Sequence, residues 1–344
     1  MASGGDAAAV VFYPAERDLV AWGDRHARGA APDRWPYGLD RLGTHFPGLT
    51  ATNFSPDSSV GLASRRLITA ISPTRRPSGP IGITWDENAG ALLAITPGLR
   101  ARFSGVVWLT DSVARAGERP FRAMRRALRR MDAVWVLSTA QVEPLSRFLG
   151  PGAPPVHYVR FGVDPDFFAH QSYPDRPLVV SVGGDRDRDP QTLLEALAIV
   201  RDARPDVEIV VQSKSGATPP PGITVVPYLT HAELRDLYAR ASVAVIATRP
   251  NLHVSGMTVG LEVMATGRPL VITRTPGMDD YFGGTRAARL VEVGDATALA
   301  GETLALLADP ESAAASGRAA REHVEAGFTT EHLARRIADV IAAG

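Results

Sequence analysis

The chain contains no cysteine, and several common catalytic signatures are absent as well. Without cysteine there is no disulfide bond, thiolate metal site, iron–sulfur cluster or cysteine nucleophile. No G-x-x-x-x-G-K-[ST] loop occurs, which argues against a P-loop NTPase, and neither a strand-following G-x-G-x-x-G nor a G-x-S-x-G nucleophile elbow is found. The eight histidines lack H-E-x-x-H spacing, which argues against a zinc hydrolase.

Long apolar runs and an excess charge are also missing. No stretch approaches the roughly 18 or more consecutive apolar residues of a membrane-spanning helix. The start MASGGDAAAVVFY has no basic region, so we expect no signal peptide and a cytoplasmic protein. The charges of the 37 basic and 37 acidic side chains cancel, so no non-specific electrostatic attraction to nucleic acid is expected from the net charge. Lysine is nearly absent, because Lys214 is the only one.

The composition is that of a globular α/β protein. A length of 344 residues with 45% hydrophobic residues corresponds to about two domains. Short apolar runs predict strands over 7–13, 80–85, 104–110, 133–137, 178–182, 207–212, 223–227, 243–247 and 269–273. Helical spacing predicts helices over 119–131, 190–203, 231–240 and 258–265, with a helical tail over 296–343. Ser138 is a predicted helix N-cap.

Near-continuous apolar strands alternating with amphipathic helices predict parallel sheets covered on both faces. The pattern restarts after a segment rich in Pro, Gly and aromatic residues at 150–175, which we interpret as an interdomain hinge. The predicted fold is therefore two Rossmann-like, doubly wound domains facing a cleft. They span residues 1–160 and 161–325. A C-terminal helix over 326–344 follows, with packing back on the N-terminal domain as one alternative.

The segment 251–281, NLHVSGMTVGLEVMATGRPLVITRTPGMDDY, carries most of the chemistry. A strand is followed by the turn Ser255–Thr258 and then by a helix. Amide groups at such a helix start can hold a diphosphate, and Gly256 lets the backbone approach it closely. Glu262, about one turn further on, could accept hydrogen bonds from ribose hydroxyls. The alternative is a simple turn followed by a solvated glutamate.

This segment resembles the donor-site signature of retaining GT-B glycosyltransferases, specifically glycosyltransferase family four of bacterial, actinobacterial type. The resemblance implies that residues 161–325 form the nucleotide-sugar-binding domain and residues 1–160 the acceptor-binding domain. Glu262 matches the glutamate of the family that binds the nucleotide ribose, and Gly267 and Pro269 match the glycine and proline at the start of the following strand. Val254 stands where the family has a first glutamate that contacts the transferred sugar. The resemblance implies that His253, Val254 or Ser255 replaces that contact.

The resemblance extends over about residues 133–340. In the run VSVGGDRDRDPQTLL it implies diphosphate-binding arginines, with Arg188 the better match and Arg186 the second. The D-x-D spacing of Asp185, Asp187 and Asp189 could suggest a metal motif, which we discount because arginines interleave the acids. The predicted donor-binding residues are Gly184, Arg186, Arg188, Lys214, Tyr228, His253, Ser255, Gly256, Met257, Thr258 and Glu262. Lys214 is included because it follows the predicted strand at 207–212 and its ammonium could contact phosphate or sugar oxygens. No metal and no cofactor are expected.

Carboxylates follow two predicted strands of the N-terminal domain. Asp86 and Glu87 come after one strand and Asp111 after another, so they are candidate catalytic or acceptor-binding groups. The alternative is ordinary loop polarity or helix capping. Basic residues of the helix at 119–131 could dock on anionic lipid, but a surface helix packed on the sheet is the simpler interpretation.

The expected activity is transfer of a hexose-like unit from a nucleotide sugar to a small-molecule acceptor with retention of configuration, as in natural-product or antibiotic biosynthesis. UDP, GDP and dTDP remain alternatives for the donor nucleotide. Other functions left open are a peripheral-membrane glycosyltransferase acting on a lipid or cell-envelope acceptor, a nucleotide-sugar epimerase, and a nucleotide-sugar sensor without turnover. Nucleic acid is not an expected partner, and membrane association is not favoured.

Overall fold

The computed structural model describes residues 9–55, 75, 78–115, 117–213 and 218–344. Lys214 lies outside the described residues. Contacts divide the chain into two units. The first contains Met1–Asp24, Arg34–Val159 and Leu333–Gly344, and the second contains Arg25–Asp33 and Arg160–His332.

The first unit is built on a parallel sheet of six strands in the order β2-β1-β3-β4-β5-β6. Buried apolar side chains on the sheet and its helices form the core, among them Leu93, Val134 and Leu145. The strands are β1 Ala9–Tyr13, β2 Thr50–Asn53, β3 Ile81–Thr84, β4 Ala101–Gly105, β5 Ala133–Val136 and β6 Val156–Tyr158. The α-helices along this part of the chain are α1 Leu19–Ala27, α2 Glu87–Leu93, α3 Arg119–Leu128 and α4 Thr139–Leu149, with 3-10 helices at Pro36–Thr44 and Leu109–Arg115.

The second unit has its own six-stranded parallel sheet, in the order β12-β11-β10-β7-β8-β9. Its strands are β7 Leu178–Val182, β8 Glu208–Gln212, β9 Thr224–Val226, β10 Val243–Ile246, β11 Leu270–Arg274 and β12 Ala288–Glu292. The helices along the rest of the chain are α5 Pro190–Ala203, α6 His231–Arg240, α7 Met257–Ala265, α8 Asp279–Phe282, α9 Ala296–Ala308, α10 Pro310–Gly327 and α11 Thr330–Ala343. Most of α11 belongs to the first unit, which includes Leu333–Gly344. Two parallel sheets with flanking helices confirm the prediction of two doubly wound α/β units.

One strand was predicted at the wrong place along the chain, and a buried arginine explains the error. The strand predicted at 104–110 lies at Ala101–Gly105, and the chain from Leu109 forms a 3-10 helix. Arg102 sits inside this strand with its guanidinium buried, donating to the carbonyls of Leu93 and Thr96. A strand that contains a charged residue is not recognised from apolar runs. The charged side chain can be buried only because distant parts of the fold supply hydrogen-bond partners for it.

The segment at 150–175, interpreted as an interdomain hinge rather than a core element, includes the boundary between the two units, which lies between Val159 and Arg160. It contains β6, which pairs in parallel with β5 and completes one edge of the first sheet. Strand β2 was not predicted, because its side chains at Thr50–Asn53 alternate between exposed and half-buried positions and are mostly polar. Ser138 is confirmed as an N-cap, since its hydroxyl accepts a hydrogen bond from the Ala140 amide.

Within the described parts of the chain, no helix combines the length and the apolar character needed to cross a bilayer.

Candidate functional site

The site lies at the carboxyl edge of the second sheet, where two loops meet. Strands β7 and β10 are neighbours in this sheet although they are far apart in sequence. The chain continues from β7 to β8 on one side, so the strand order reverses between β7 and β10, and this is where open α/β sheets bind ligands. Two backbone hydrogen bonds connect these loops. The Arg249 amide donates to the Asp187 carbonyl at 2.8 Å, and the Asp189 amide donates to the Ala247 carbonyl at 3.0 Å.

The turn before helix α7 has an unusual backbone. Val254 has φ 51° and Gly256 has φ 95°, and a left-handed conformation is costly for a β-branched residue. The Asn251 side chain stabilises the turn, because its Oδ1 accepts a hydrogen bond of 2.9 Å from the Ser255 amide. Gly256 is the N-cap of α7 and makes no side-chain cap bond. The N-cap position of this helix therefore supplies no side chain that would neutralise the positive end of the helix dipole.

Arg188 is held between two glycines at this turn. A Cβ atom on Gly183 would lie 2.2 Å from Arg188 Nη2, and one on Gly256 would lie 2.7 Å from Nη1. Arg188 Nε is buried and has no hydrogen-bond partner among the described residues. Burial lowers the pKa of this arginine, although Asp185, Tyr238 and Glu262 act in the opposite direction. Since a guanidinium stays charged in proteins, the site holds a partly buried cation whose Nε can still donate a hydrogen bond.

Glu262 faces the same site from the next turn of α7. Its Oε2 accepts a hydrogen bond of 3.1 Å from the Tyr238 hydroxyl, and the residue is 8% exposed. Burial raises the pKa of Glu262 to about 7, while the Tyr238 hydrogen bond and the charge of Arg188 oppose the rise. The alternative of a solvated glutamate is therefore wrong. A buried carboxyl next to an arginine has the chemistry of a binding group.

His253 lies between two carboxylates rather than at an open surface. Its Nε2 is 3.0 Å from Asp185 Oδ2 and 3.7 Å from Asp187 Oδ2, and its side chain is 3% exposed. Burial alone would raise the pKa of Asp185, but the hydrogen bonds with His253 and Ser255 and the electrostatic interaction with His253 together hold it well below its ordinary value. His253 is thus engaged with Asp185 in this structure, and its contact with a donor sugar stays a prediction.

The same three side chains bear on the question of a metal. The ligand atoms of Asp185, Asp187 and His253 lie within 4.8 Å of one another, a set of donors that a divalent cation could use. Asp189, the third member of the D-x-D run, instead caps helix α5 by accepting hydrogen bonds from the amide and hydroxyl of Thr192. The expectation of no metal stays a prediction.

The other donor-side candidates are distributed unevenly around this site. Ser255 and Met257 are buried within the turn, whereas Thr258 is exposed. Gly184 and Arg186 are exposed, and Arg186 forms an ion pair of 3.1 Å with Asp187. Tyr228 is 64% exposed. Of the two arginines, Arg188 is therefore the one that the structure brings together with Gly256 and Glu262.

Four residues of the site were not among the candidates from sequence. They are Gly183, Asp185, Tyr238 and Asn251. The spacing of Asn251 four residues before Ser255 is a local signal for an Asx-type turn and could have been recognised. The roles of the other three depend on contacts between distant segments.

The candidate carboxylates of the first unit are engaged by the backbone. Asp86 is the N-cap of α2 and accepts hydrogen bonds from the Asn88 and Ala89 amides at 2.9 and 3.1 Å. These contacts match the capping alternative.

Glu87 is buried and accepts hydrogen bonds from the amides of Val107 and Trp108 at 2.8 and 3.1 Å. Burial raises its pKa, against those two bonds. Asp111 lies in the 3-10 helix at Leu109–Arg115. Catalytic roles for the three carboxylates stay predictions.

Part of the chain matches a known family of enzymes. Residues 176–309 match the family described as glycosyl transferases group 1. A D-inositol 3-phosphate glycosyltransferase of Pseudarthrobacter chlorophenolicus is 30% identical over 174 residues, which cover 46% of this chain and 39% of the relative. A protein of the same name from Arthrobacter sp. (strain FB24) is 30% identical over 164 residues, or 43% of this chain and 38% of the relative. The chain thus matches only about two fifths of the length of these curated relatives.

Solved structures resemble the chain over nearly its full length. Sucrose-phosphate synthase from Thermosynechococcus elongatus has a TM-score of 0.67 at 17% identity, with 98% of both chains covered. HepE from Anabaena in complex with UDP-glucose has a TM-score of 0.68 at 12% identity, covering 98% of this chain and 100% of that one. At such identities the likeness concerns the fold, and it agrees with the GT-B architecture expected from the sequence.

Proposed function

We propose that the protein is a glycosyltransferase that takes a sugar from a nucleotide-sugar donor. The observation that carries the proposal is Arg188, a partly buried cation whose Nε is buried and has no hydrogen-bond partner among the described residues, placed against Gly256 at the start of helix α7. A guanidinium and a helix N-terminus together form a site for an anion such as a diphosphate. The match of residues 176–309 to group 1 glycosyl transferases covers this whole constellation.

In this proposal each group of the site has a separate task. Arg188 and the first amides of α7 bind the diphosphate, and Glu262, held by Tyr238, accepts hydrogen bonds from the ribose. The bond between the sugar C1 and the phosphate oxygen breaks, and a bond from C1 to an acceptor hydroxyl oxygen forms. The acceptor proton passes to the leaving diphosphate. Arg188 and the helix dipole would stabilise the negative charge that develops on that leaving group.

The finer details of the proposal come from resemblance. Retention of the anomeric configuration of the transferred sugar is proposed because the segment around Glu262 resembles the donor-site signature of glycosyltransferase family four. A small-molecule acceptor agrees with the relatives, which are named as acting on D-inositol 3-phosphate, and a role in bacterial natural-product pathways is part of the proposal. The donor would be a UDP, GDP or dTDP sugar, as HepE was solved with UDP-glucose. No cofactor or metal is invoked, and cytoplasmic localisation stays part of the proposal.

The test is calorimetric binding of UDP, GDP and dTDP to the wild type and to Arg188→Met. Loss of charged hydrogen bonds costs roughly 1.5–3 kcal/mol, so the affinity for the preferred nucleotide should fall by about 10-fold to 150-fold. Arg289→Met is the matched control, because Arg289 lies on β12 in an ion pair with Glu302. Nucleotide release with a panel of acceptors then tests transfer. Equal affinities for wild type and Arg188→Met would contradict the assignment of the diphosphate site.

A further inference from the structure

His253 joins the two loops that build the candidate diphosphate site. It belongs to the turn after β10, and its partners Asp185 and Asp187 belong to the loop after β7. The interaction spans 68 residues of sequence. Because the imidazole side chain is 3% exposed, this contact is made in a desolvated place where hydrogen bonds and charges interact strongly.

The two carboxylates create an electrostatic difficulty for anion binding. Asp185 interacts with Arg188 through its charge, and both Asp185 and Asp187 precede Arg188 in the same loop. Opposite charges in a partly buried site attract each other more strongly than they do in water. A carboxylate that turned toward Arg188 would therefore compete with a diphosphate for the guanidinium, and it would also repel the incoming anion.

We propose that His253 is a positioning residue that holds Asp185 away from Arg188 and so keeps the guanidinium free for an anionic ligand. The imidazole Nε2 hydrogen-bonds to Asp185 Oδ2 at 3.0 Å. With that carboxylate engaged, Arg188 remains between Gly183 and Gly256 with its Nε unused. This role rests on the proposed diphosphate site and adds to it, since His253 acts through Asp185 and does not touch the ligand.

His253 is followed directly by Val254, whose backbone conformation is strained. Val254 has φ 51° and is 1% exposed, so the turn places the side chains of residues 253 and 254 in different surroundings. The side chain of Val254 packs into the core, and that of His253 meets the loop after β7.

The experiment measures binding of inorganic pyrophosphate and of UDP, GDP and dTDP by calorimetry, in buffer with EDTA, to four variants. His253→Leu leaves Asp185 without its partner and should weaken pyrophosphate binding about 10-fold or more. His253→Gln can still donate a hydrogen bond to Asp185 and should retain most of the affinity. Asp185→Asn combined with His253→Leu removes the competing charge and should recover most of the loss. Asp185→Asn alone should bind at least as well as the wild type.

A matched control is His323→Gln, since His323 lies in the same unit and bonds through Nε2 to the Tyr281 carbonyl at 2.7 Å. Its affinity for pyrophosphate should not change. If the double variant binds as poorly as His253→Leu, His253 has only a structural role and the proposal is wrong. If His253→Leu does not fold, a loss of affinity in Asp185→Asn alone would still overturn it, because that carboxylate would then be needed at the site.

Further outcomes separate this role from the proposed function. Pyrophosphate binding that depends on His253, with no binding of any nucleoside diphosphate, would support the positioning role and contradict the nucleotide-sugar donor. Absence of both kinds of binding in the wild type would overturn both proposals. Binding restored only when Mg²⁺, Mn²⁺ or Zn²⁺ replaces EDTA, and lost in His253→Leu, would make the cluster a cation site and overturn the positioning role.

Discussion

The ionisation of Glu262 should lower the free energy of unfolding as the pH rises. Burial raises the pKa of this carboxyl from 4.5 to about 7, against the effects of Tyr238 and Arg188. In the unfolded chain the group ionises near its ordinary pKa. Between these two pKa values the folded state therefore holds more protons than the unfolded state, and stability falls as the pH increases through this window. Above the folded pKa the loss is complete.

The expected magnitude follows from the separation of the two pKa values. Each pH unit within the window costs about 1.4 kcal/mol, so the change between about pH 5 and about pH 8 amounts to about 2.5 kcal/mol. Glu262→Gln does not titrate in this range, and its amide oxygen can still accept the Tyr238 hydrogen bond. The free energy of unfolding of the variant minus that of the wild type should therefore increase by this amount between the two pH values.

Urea unfolding followed by far-ultraviolet circular dichroism measures this difference. The five tryptophans all lie in the first unit, so their fluorescence separately records a unit that does not contain Glu262. The fluorescence transition should respond equally to pH in the two proteins, which serves as the internal control. A dichroism difference that does not change with pH would refute the reasoning, because it would mean that Arg188 keeps the buried carboxylate ionised throughout.

Two further substitutions test the packing around the site. Gly183→Ala should displace Arg188, since the new Cβ would lie 2.2 Å from Nη2 and Gly183 has φ 143°. Calorimetry should therefore show a loss of nucleotide affinity of about 10-fold or more. Unchanged affinity would contradict the placement of Arg188. Arg268→Met should lower the free energy of unfolding by more than about 3 kcal/mol, because the buried guanidinium donates to four backbone carbonyls. Arg268→Lys should recover only part of that loss in urea unfolding, and a cost below about 1 kcal/mol for Arg268→Met would contradict the argument.

Local pattern in the sequence was sufficient for most of the fold of the second unit. Helices Pro190–Ala203 and His231–Arg240 have the bounds that periodicity predicts. Strand β7 was also predicted at its observed bounds, because a strand buried on both faces reads as an unbroken apolar run. The turn at Ser255–Gly256 and the placement of Glu262 on the following helix could likewise be read locally. These features depend on neighbours within a few residues.

The tertiary structure alone decided how the candidate site is assembled. The contact of His253 with Asp185, the placement of Arg188 between Gly183 and Gly256, and the burial of Glu262 against Tyr238 all join segments that are distant in sequence. They exist because β7 and β10 are adjacent in the sheet, and strand order is not a local property of the chain. Desolvation, which changes the pKa of Glu262, likewise depends on all the groups around it and so only on the folded structure.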